Sequence, residues 1–184
     1  MSASTKASRS QVAIGSITVD GFILPDGSYR MSQTQVAECV GLTERNAREF
    51  LQSKALKSML GDGYTPAISE IQSDEDQLRG SSRIRALPLD VVSAYWLWQS
   101  FRGNKKALAL CMAMVLETLE RRFDTAFGVT KSEQEYNELL TERMRLFQDL
   151  QRLGEAYATD DLIRQERDRF EKLLREYGID PDVG

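Results

Sequence analysis

Residues Gln33–Gln52 have the sequence QTQVAECVGLTERNAREFLQ, which fits the twenty-residue pattern of a helix-turn-helix. Ala37 is small enough for a position where two helices cross closely, and Gly41 can adopt the left-handed backbone conformation that a tight turn requires. The apolar residues recur at helical spacing and would hold the two helices together from inside; they are Val36, Val40, Leu42, Ala47 and Phe50. The pattern therefore predicts two short helices that meet at Gly41.

Once those apolar residues are placed inside, polar residues define the outward face of the second helix. In a helix-turn-helix, the start of this helix enters the major groove of DNA. Arg45 and Arg48 are suited to bidentate bonds with guanine or to phosphate contacts, and Glu44 is suited to accept a bond from a cytosine amino group. The residues predicted to face DNA here are Thr43, Glu44, Arg45, Arg48, Glu49 and Gln52.

The first helix is expected to contribute phosphate contacts. Gln33 and Thr34 lie at its N-terminus, where the helix dipole and free N–H groups favour an anion. The alternative for the whole segment is a plain helical hairpin with an ordinary charged surface.

The flanking sequence predicts a small β-hairpin before the motif, from Gln11 to Arg30, with its turn at Pro25–Ser28. Ser32 and Gln35 have the spacing of a capping box at the start of the first helix. The second helix is predicted to run from Thr43 to about Lys57.

A second hairpin is predicted after the motif, from strands at Tyr64–Ile71 and Ser82–Leu87, in the position of a wing. Arg83 and Arg85 would share one strand face by alternation and hold the DNA backbone, with Arg79 nearby. The acidic run Asp74–Asp76 at the tip would repel phosphate. Either that run points away from DNA or the wing does not touch DNA.

The C-terminal half is predicted to be helical. One helix would follow a cap at Asp90 and end at Gly103, and the next would run from Lys105 to about Phe127 after a cap at Asn104. The apolar residues of this second helix recur at helical spacing, and its methionines are expected to fill the core; the recurring residues are Leu108, Met112, Val115, Leu119 and Phe123.

After a break at Gly128, Ser132 and Glu135 form a second capping-box pattern. An amphipathic helix follows, with a turn at Thr159–Asp161 and a last helix that ends at Gly178. This predicts a helical hairpin or coiled-coil arm. We expect residues 131–177 to form a homodimer, and packing of the arm on its own chain is the alternative.

These features predict a mostly helical α+β fold: a helix-turn-helix with small β-hairpins in a winged-helix or related arrangement, followed by a C-terminal helical hairpin or coiled-coil arm. The predicted organisation is a disordered tail at 1–10, a DNA-binding domain at 11–128 and an oligomerisation arm at 129–184.

Composition excludes several function classes. The 184-residue chain has no histidine, so neither Ser-His-Asp nor Cys-His catalysis nor a histidine metal site is available. Residues 1–130 contain 15 Lys and Arg against 14 Asp and Glu, whereas residues 131–184 contain 9 against 14. Any DNA contact must therefore come from a local patch in the first part. Two separated cysteines, no bilayer-length apolar run and no signal-like start predict a cytoplasmic protein.

The element order, together with RIRALPLDVVSAYWL at Arg83–Leu97, resembles the N-terminal domain of phage antirepressors and BRO-type proteins. Ala107–Arg121 is similar to the long closing helix of that family, and MSQTQVAE at Met31–Glu38 resembles phage-derived regulatory proteins carried by cyanobacteria. The resemblance implies DNA binding and control of transcription or of lysis and lysogeny. The charged helical C-terminus departs from the family.

The predicted function is a double-stranded-DNA-binding transcription regulator that is not an enzyme and uses no cofactor or metal. One alternative is an antirepressor or adaptor that binds a repressor or another protein. A second is a metal-dependent nuclease built on Glu117, Glu120 and Asp124, which share a helical face. Arg121 and Arg122 beside them favour an ordinary solvated surface instead.

Overall fold

The computed structural model describes residues 7–72 and 83–177, and it has the mostly helical α+β fold that the sequence predicts. The chain divides into two compact units, Met1–Arg145 and Leu146–Gly184. In chain order the elements are β1 (Ser8–Ile14), β2 (Ile17–Ile23), β3 (Tyr29–Ser32), α1 (Gln33–Glu38), α2 (Glu44–Leu51), α3 (Lys54–Leu60), β4 (Ser69–Gln72), β5 (Arg83–Pro88), α4 (Leu89–Phe101), α5 (Lys105–Phe127) and α6 (Glu133–Glu176).

The strands form one antiparallel sheet in the order β1-β2-β3-β5-β4. Pairing of β3 with β5 merges the two predicted hairpins into a single sheet. β1 begins at Ser8, so the end of the expected disordered tail at 1–10 is part of the sheet. The predicted strand at Tyr64–Ile71 is shorter than expected, because only Ser69–Gln72 pair with β5.

The core forms where α1 and α2 pack on α4. The ring of Phe50 meets the ring of Tyr95 edge-on, with centroids 5.4 Å apart. Nε1 of Trp96 donates a buried 2.9 Å hydrogen bond to the carbonyl of Val36. Since α1 is only six residues long, these contacts from α4 hold it in place more than its own hydrogen bonds do.

Two predicted features near the motif are wrong. The expected helix from Thr43 to Lys57 is two helices, because Ser53 starts α3: its Oγ donates to the carbonyl of Phe50 at 2.7 Å and accepts from the N–H of Leu56. The expected capping box at Ser32 is absent, since Ser32 makes no side-chain cap bond. Gln35 is bonded instead to Asp20 of β2.

The predicted caps of the later helices are confirmed at α5 and α6. Oδ1 of Asn104 accepts from the N–H of Ala107 at 2.9 Å. At α6, the N–H of Ser132 donates to Glu135 at 2.6 Å and the N–H of Glu135 donates back to Ser132 at 3.2 Å. The cap predicted at Asp90 is wrong, because α4 already begins at Leu89.

Of the two forms predicted for the C-terminal segment, a helical hairpin or a coiled-coil arm, the hairpin is wrong, because α6 is one continuous helix of 44 residues. The predicted turn at Thr159–Asp161 is helical, and Oγ1 of Thr159 donates to the carbonyl of Glu155 at 2.9 Å. The start of α6 belongs to the first unit, where Tyr136, Leu140 and Met144 are buried. The boundary between units therefore follows Arg145 and not Gly128.

Within 7–72 and 83–177, no helix combines the length and the apolar character that crossing a membrane requires.

Candidate nucleic-acid interface

The segment Gln33–Gln52 folds into the two short helices and the glycine turn that its sequence predicts. Gly41 has a φ of +73°, which permits the tight reversal between α1 and α2. The N–H of Leu42 closes the turn on the carbonyl of Ala37 at 2.9 Å. The residues buried between these helices and α4 are Val36, Ala37, Val40, Ala47 and Phe50.

Three side chains fix this helix pair to the rest of the unit by hydrogen bonds. Trp96 holds the middle of α1 through the carbonyl of Val36, and Nδ2 of Asn104 donates to the carbonyl of Val40 at 3.0 Å. On the other side, Nε2 of Gln35 donates to Asp20 at 3.0 Å. The outward face of α2 is consequently presented from a rigid support, as recognition by a side chain requires.

All six residues predicted for that outward face are exposed or half-buried at the surface. Arg45 has a side chain that is 76% exposed, and its Nε lies 2.7 Å from Oε1 of Glu49 one turn later. The hydrogen bond to Glu49 raises the pKa of Arg45, so the guanidinium stays charged. A solvent-exposed pair of this kind contributes little to stability, so a phosphate or a base edge can displace Glu49.

The phosphate contact predicted for Gln33 is wrong. Its side chain is 1% exposed and lies beneath the surface, so it does not reach a phosphate. Nε2 of Gln33 donates instead to Oε1 of Glu44 at 2.9 Å, across the starts of the two helices. Thr34, the next residue, is exposed and keeps the position expected for a phosphate contact.

The strands of the second hairpin pair basic residues with acidic and neutral ones. Arg85 is exposed on β5 and is paired in register with Glu70 of β4, so its positive charge stands opposite a carboxylate residue. Arg83 is the first residue of β5, in register with Gln72. Arg79 and the acidic run Asp74–Asp76 lie outside the described residues.

One basic residue beside the motif was missed by the sequence analysis. Lys106, in the first turn of α5, lies against the turn at Gly41: a β-carbon there would be 3.2 Å from its Nζ. Lys106 is exposed and places a further cation beside the turn that leads into α2. No local pattern could have revealed it, because the two residues are far apart in sequence and are brought together by Asn104.

The carboxylates considered for a nuclease are engaged with basic side chains. Glu117 bonds to Arg121 at 2.8 Å, whereas Glu120 pairs with Arg143. Asp124 pairs with Lys131 and accepts from the hydroxyl of Tyr136 at 2.9 Å, and these bonds lower its pKa. Among the described residues, no three or more His, Cys, Asp or Glu side chains converge as metal ligands would.

The cysteines have the character of structural thiols. Burial raises the pKa of Cys39 to about 11, and burial also raises the pKa of Cys111. Both are free thiols, and at neutral pH neither forms the thiolate that a nucleophile needs.

Comparisons with known proteins found no matching family model, no matching curated protein and no matching solved structure. The resemblance to phage antirepressors and BRO-type proteins therefore stays a prediction from the sequence.

Proposed function

We propose that this protein is a sequence-specific, double-stranded-DNA-binding transcription regulator of phage or mobile-element type. One observation carries the proposal: Arg45 and Arg48 project from the exposed face of α2 while Ala47 and Phe50 anchor its opposite face on the core. α2 has eight residues, and the diameter of an α-helix with its side chains, about 10–12 Å, is comparable with the width of the major groove.

Six exposed residues of the motif have roles in this proposal. Arg45 and Arg48 read guanine edges, and the second oxygen of Glu44 accepts from a cytosine amino group. Thr34, Thr43 and Gln52 bond to phosphates around the groove, and Arg83 and Arg85 hold the neighbouring backbone. The mechanism is non-covalent and needs no cofactor.

Electrostatics limit the affinity expected from this surface. Glu44 and Glu49 lie among the arginines, and the whole chain carries a net charge of −4. The attraction to phosphate therefore comes from a small group of cations that includes Lys106. Binding should weaken as salt rises, by a log–log slope of roughly −0.9 for each phosphate neutralised.

The test is selection of bound duplexes from random DNA, followed by mobility shifts on the selected sequence. Arg45→Ala and Arg48→Ala should each lose ~1–3 kcal/mol of specific binding, which is about 5- to 150-fold in affinity. Arg164→Ala is the matched control, because it removes an equally exposed arginine charge from the distal part of α6. Failure to select any sequence, or equal losses in all three variants, would contradict the proposal.

An antirepressor or adaptor that binds a protein is the second candidate. It is favoured by the exposed apolar residues of the second unit, which include Leu150, Leu153 and Tyr157. Binding through such a surface should be nearly independent of salt, whereas DNA binding should not. Dimerisation through residues 131–177 stays a prediction. For the nuclease alternative, we expect supercoiled plasmid to stay intact with Mg²⁺ or Mn²⁺.

A further inference from the structure

A row of large apolar side chains is exposed along α5. These side chains are spaced by four or three residues and therefore occupy one face of the helix. Their exposed fractions are 40% for Leu108, 43% for Met112, 56% for Val115, 47% for Leu119 and 62% for Phe123. We call these five residues the α5 stripe. With Phe127 beside it, the stripe presents on the order of 500 Å² of apolar surface, the upper end of what monomeric proteins leave exposed.

The position of the stripe corrects the expectation that Met112 fills the core, because Met112 is 43% exposed. Ala107, Ala109, Leu110 and Ala113 of α5 are buried instead. Small residues let α4 pack closely on that side of α5, and the larger ones are left on the outside.

The acidic residues of α5 lie away from the stripe. The three acidic residues of α5 lie on the opposite face, and each bonds to a basic residue of the same unit; they are Glu117, Glu120 and Asp124. The charged residues nearest the stripe in helical projection are Lys105 and Arg122, one at each edge. A partner for this surface must therefore be apolar along its centre and must not bring further cations to those two positions.

The stripe meets these conditions against a second copy of itself. When two α5 helices run antiparallel about a two-fold axis between Val115 and Leu116, Leu108 faces Phe123 and Met112 faces Leu119. Leu108 thus meets the larger Phe123, Met112 meets Leu119 of similar size, and Val115 faces the half-buried Leu116 at the centre. A two-fold interface requires this kind of self-complementary spacing.

The same register sets alanines opposite the two edge cations: Arg122 falls opposite Ala109 of the other copy, and Lys105 falls opposite Ala126. Lys105 then lies about 6 Å along the axis from Arg122 of the other copy but at the other edge of the interface, and the two Arg122 residues are separated by about 20 Å along the helix axis. That distance exceeds the Debye length of about 8 Å at physiological salt. No acidic residue of α5 faces the partner, so none is left buried without its cation.

We propose that this chain forms a two-fold symmetric dimer in which the α5 stripes of two copies pack antiparallel. This surface differs from residues 131–177, which the sequence analysis favoured. The dimer does not depend on DNA binding, so failure of one proposal leaves the other standing.

The first test measures the solution mass of the full chain by sedimentation or light scattering. The unmodified chain should have twice the mass of one chain, and Val115→Glu should have the mass of one. Leu153→Glu, an equally exposed leucine in the second unit, should remain dimeric. A monomeric unmodified chain would overturn the proposal, as would a dimer that survives Val115→Glu. Circular dichroism identifies any variant that fails to fold, and Leu119→Glu then replaces Val115→Glu.

The second test maps the contact by thiol cross-linking in a Cys111→Ser background, in which buried Cys39 is unreactive. Val115→Cys lies beside the two-fold axis and should give a covalent dimer with a short bifunctional thiol reagent. Ser93→Cys, exposed on α4, should not. Equal cross-linking of both variants, or none at Val115→Cys, would overturn the proposed register.

Discussion

Nε2 of Gln33 donates a 2.9 Å hydrogen bond to Oε1 of Glu44, and this bond joins the first turn of α1 to the first turn of α2. Gln33 is buried, whereas Glu44 lies at the surface. The bond therefore sets the position of the start of α2, the part of the motif that we propose enters the groove. Oε1 of Gln33 has no hydrogen-bond partner among the described residues, so the site holds one unsatisfied buried oxygen.

Gln33→Glu should destabilise the fold at neutral pH. The change keeps the shape of the side chain but buries a carboxylate beside Glu44, which should cost about 2–4 kcal/mol of unfolding free energy. Burial would raise the pKa of the introduced carboxyl group above its unfolded value. The loss should therefore be full above that folded pKa and should shrink as pH falls through it towards the unfolded pKa near about 4. Denaturant unfolding at a series of pH values measures this.

The control is Gln52→Glu, the same change at an exposed position, which should stay within about 0.5 kcal/mol. A Gln33→Glu variant as stable as this control at pH 7 would show that the side chain is not buried.

Gly41→Ala should weaken both the fold and DNA binding. The positive φ of Gly41 costs an alanine about 1–2 kcal/mol, and its β-carbon would push against the side chain of Lys106. Gly27→Ala is matched in backbone strain, with a φ of +81°, but its β-carbon would meet nothing within 4 Å. We expect similar losses of stability in urea unfolding, with weaker DNA binding for Gly41→Ala alone. Equal DNA affinities in the two variants would contradict the proposal that Lys106 contributes to the DNA interface.

Thr159→Pro should break α6. Proline removes a backbone hydrogen bond and clashes with the preceding turn, which costs about 3 kcal/mol or more in a helix interior. Far-ultraviolet circular dichroism should show lost helix, whereas Thr130→Pro, between α5 and α6, should leave the helical signal unchanged. Gly154→Ala should strengthen the same helix by up to about 1 kcal/mol. If Thr159→Pro kept full helicity, a turn at Thr159–Asp161 would be correct after all.

Acid should weaken the docking of the start of α6 on α5. The bonds from Lys131 and Tyr136 lower the pKa of Asp124 below its ordinary value of 3.8. A carboxylate with a lowered folded pKa contributes stability above its unfolded pKa and loses it as pH falls through the folded value. Thermal unfolding should therefore separate the unmodified chain from Asp124→Asn at neutral pH. The difference should begin to shrink as pH falls past about 4, where an aspartate of the unfolded chain is protonated, and should close only below the lowered folded pKa.

A hydrogen bond to Arg121 also lowers the pKa of Glu133 at this junction, and hydrogen bonds from Ser132 lower that of Glu135. Since both remain in the Asp124→Asn variant, their contribution cancels in the comparison. A difference that stays constant with pH would mean that Asp124 acts through packing and not through its charge.

The backbone of the candidate site and its exposed face were predictable from the sequence. The contacts that its residues make with other helices were not. The apolar spacing in Gln33–Gln52 predicts which residues turn inward, and Arg45 and Arg48 are left outside as a consequence. The role of Gln33 and the proximity of Lys106 were not predictable, because each depends on a residue from another helix. Ser53 did carry a local signal for the start of α3, since a serine before a helical segment is a common N-cap.

Local chemistry determined the caps at Asn104 and Ser132, the reversal at Gly41 and the inward face of the helix pair, because each depends on residues within three or four positions along the chain. Tertiary structure alone decided the pairing of β3 with β5, the burial of Gln33 and which side of α5 meets α4. It also decided that α6 runs straight through Thr159–Asp161. The physical reason is that burial depends on which surfaces meet, and an apolar helical face has the same spacing whether it covers the core or stays exposed.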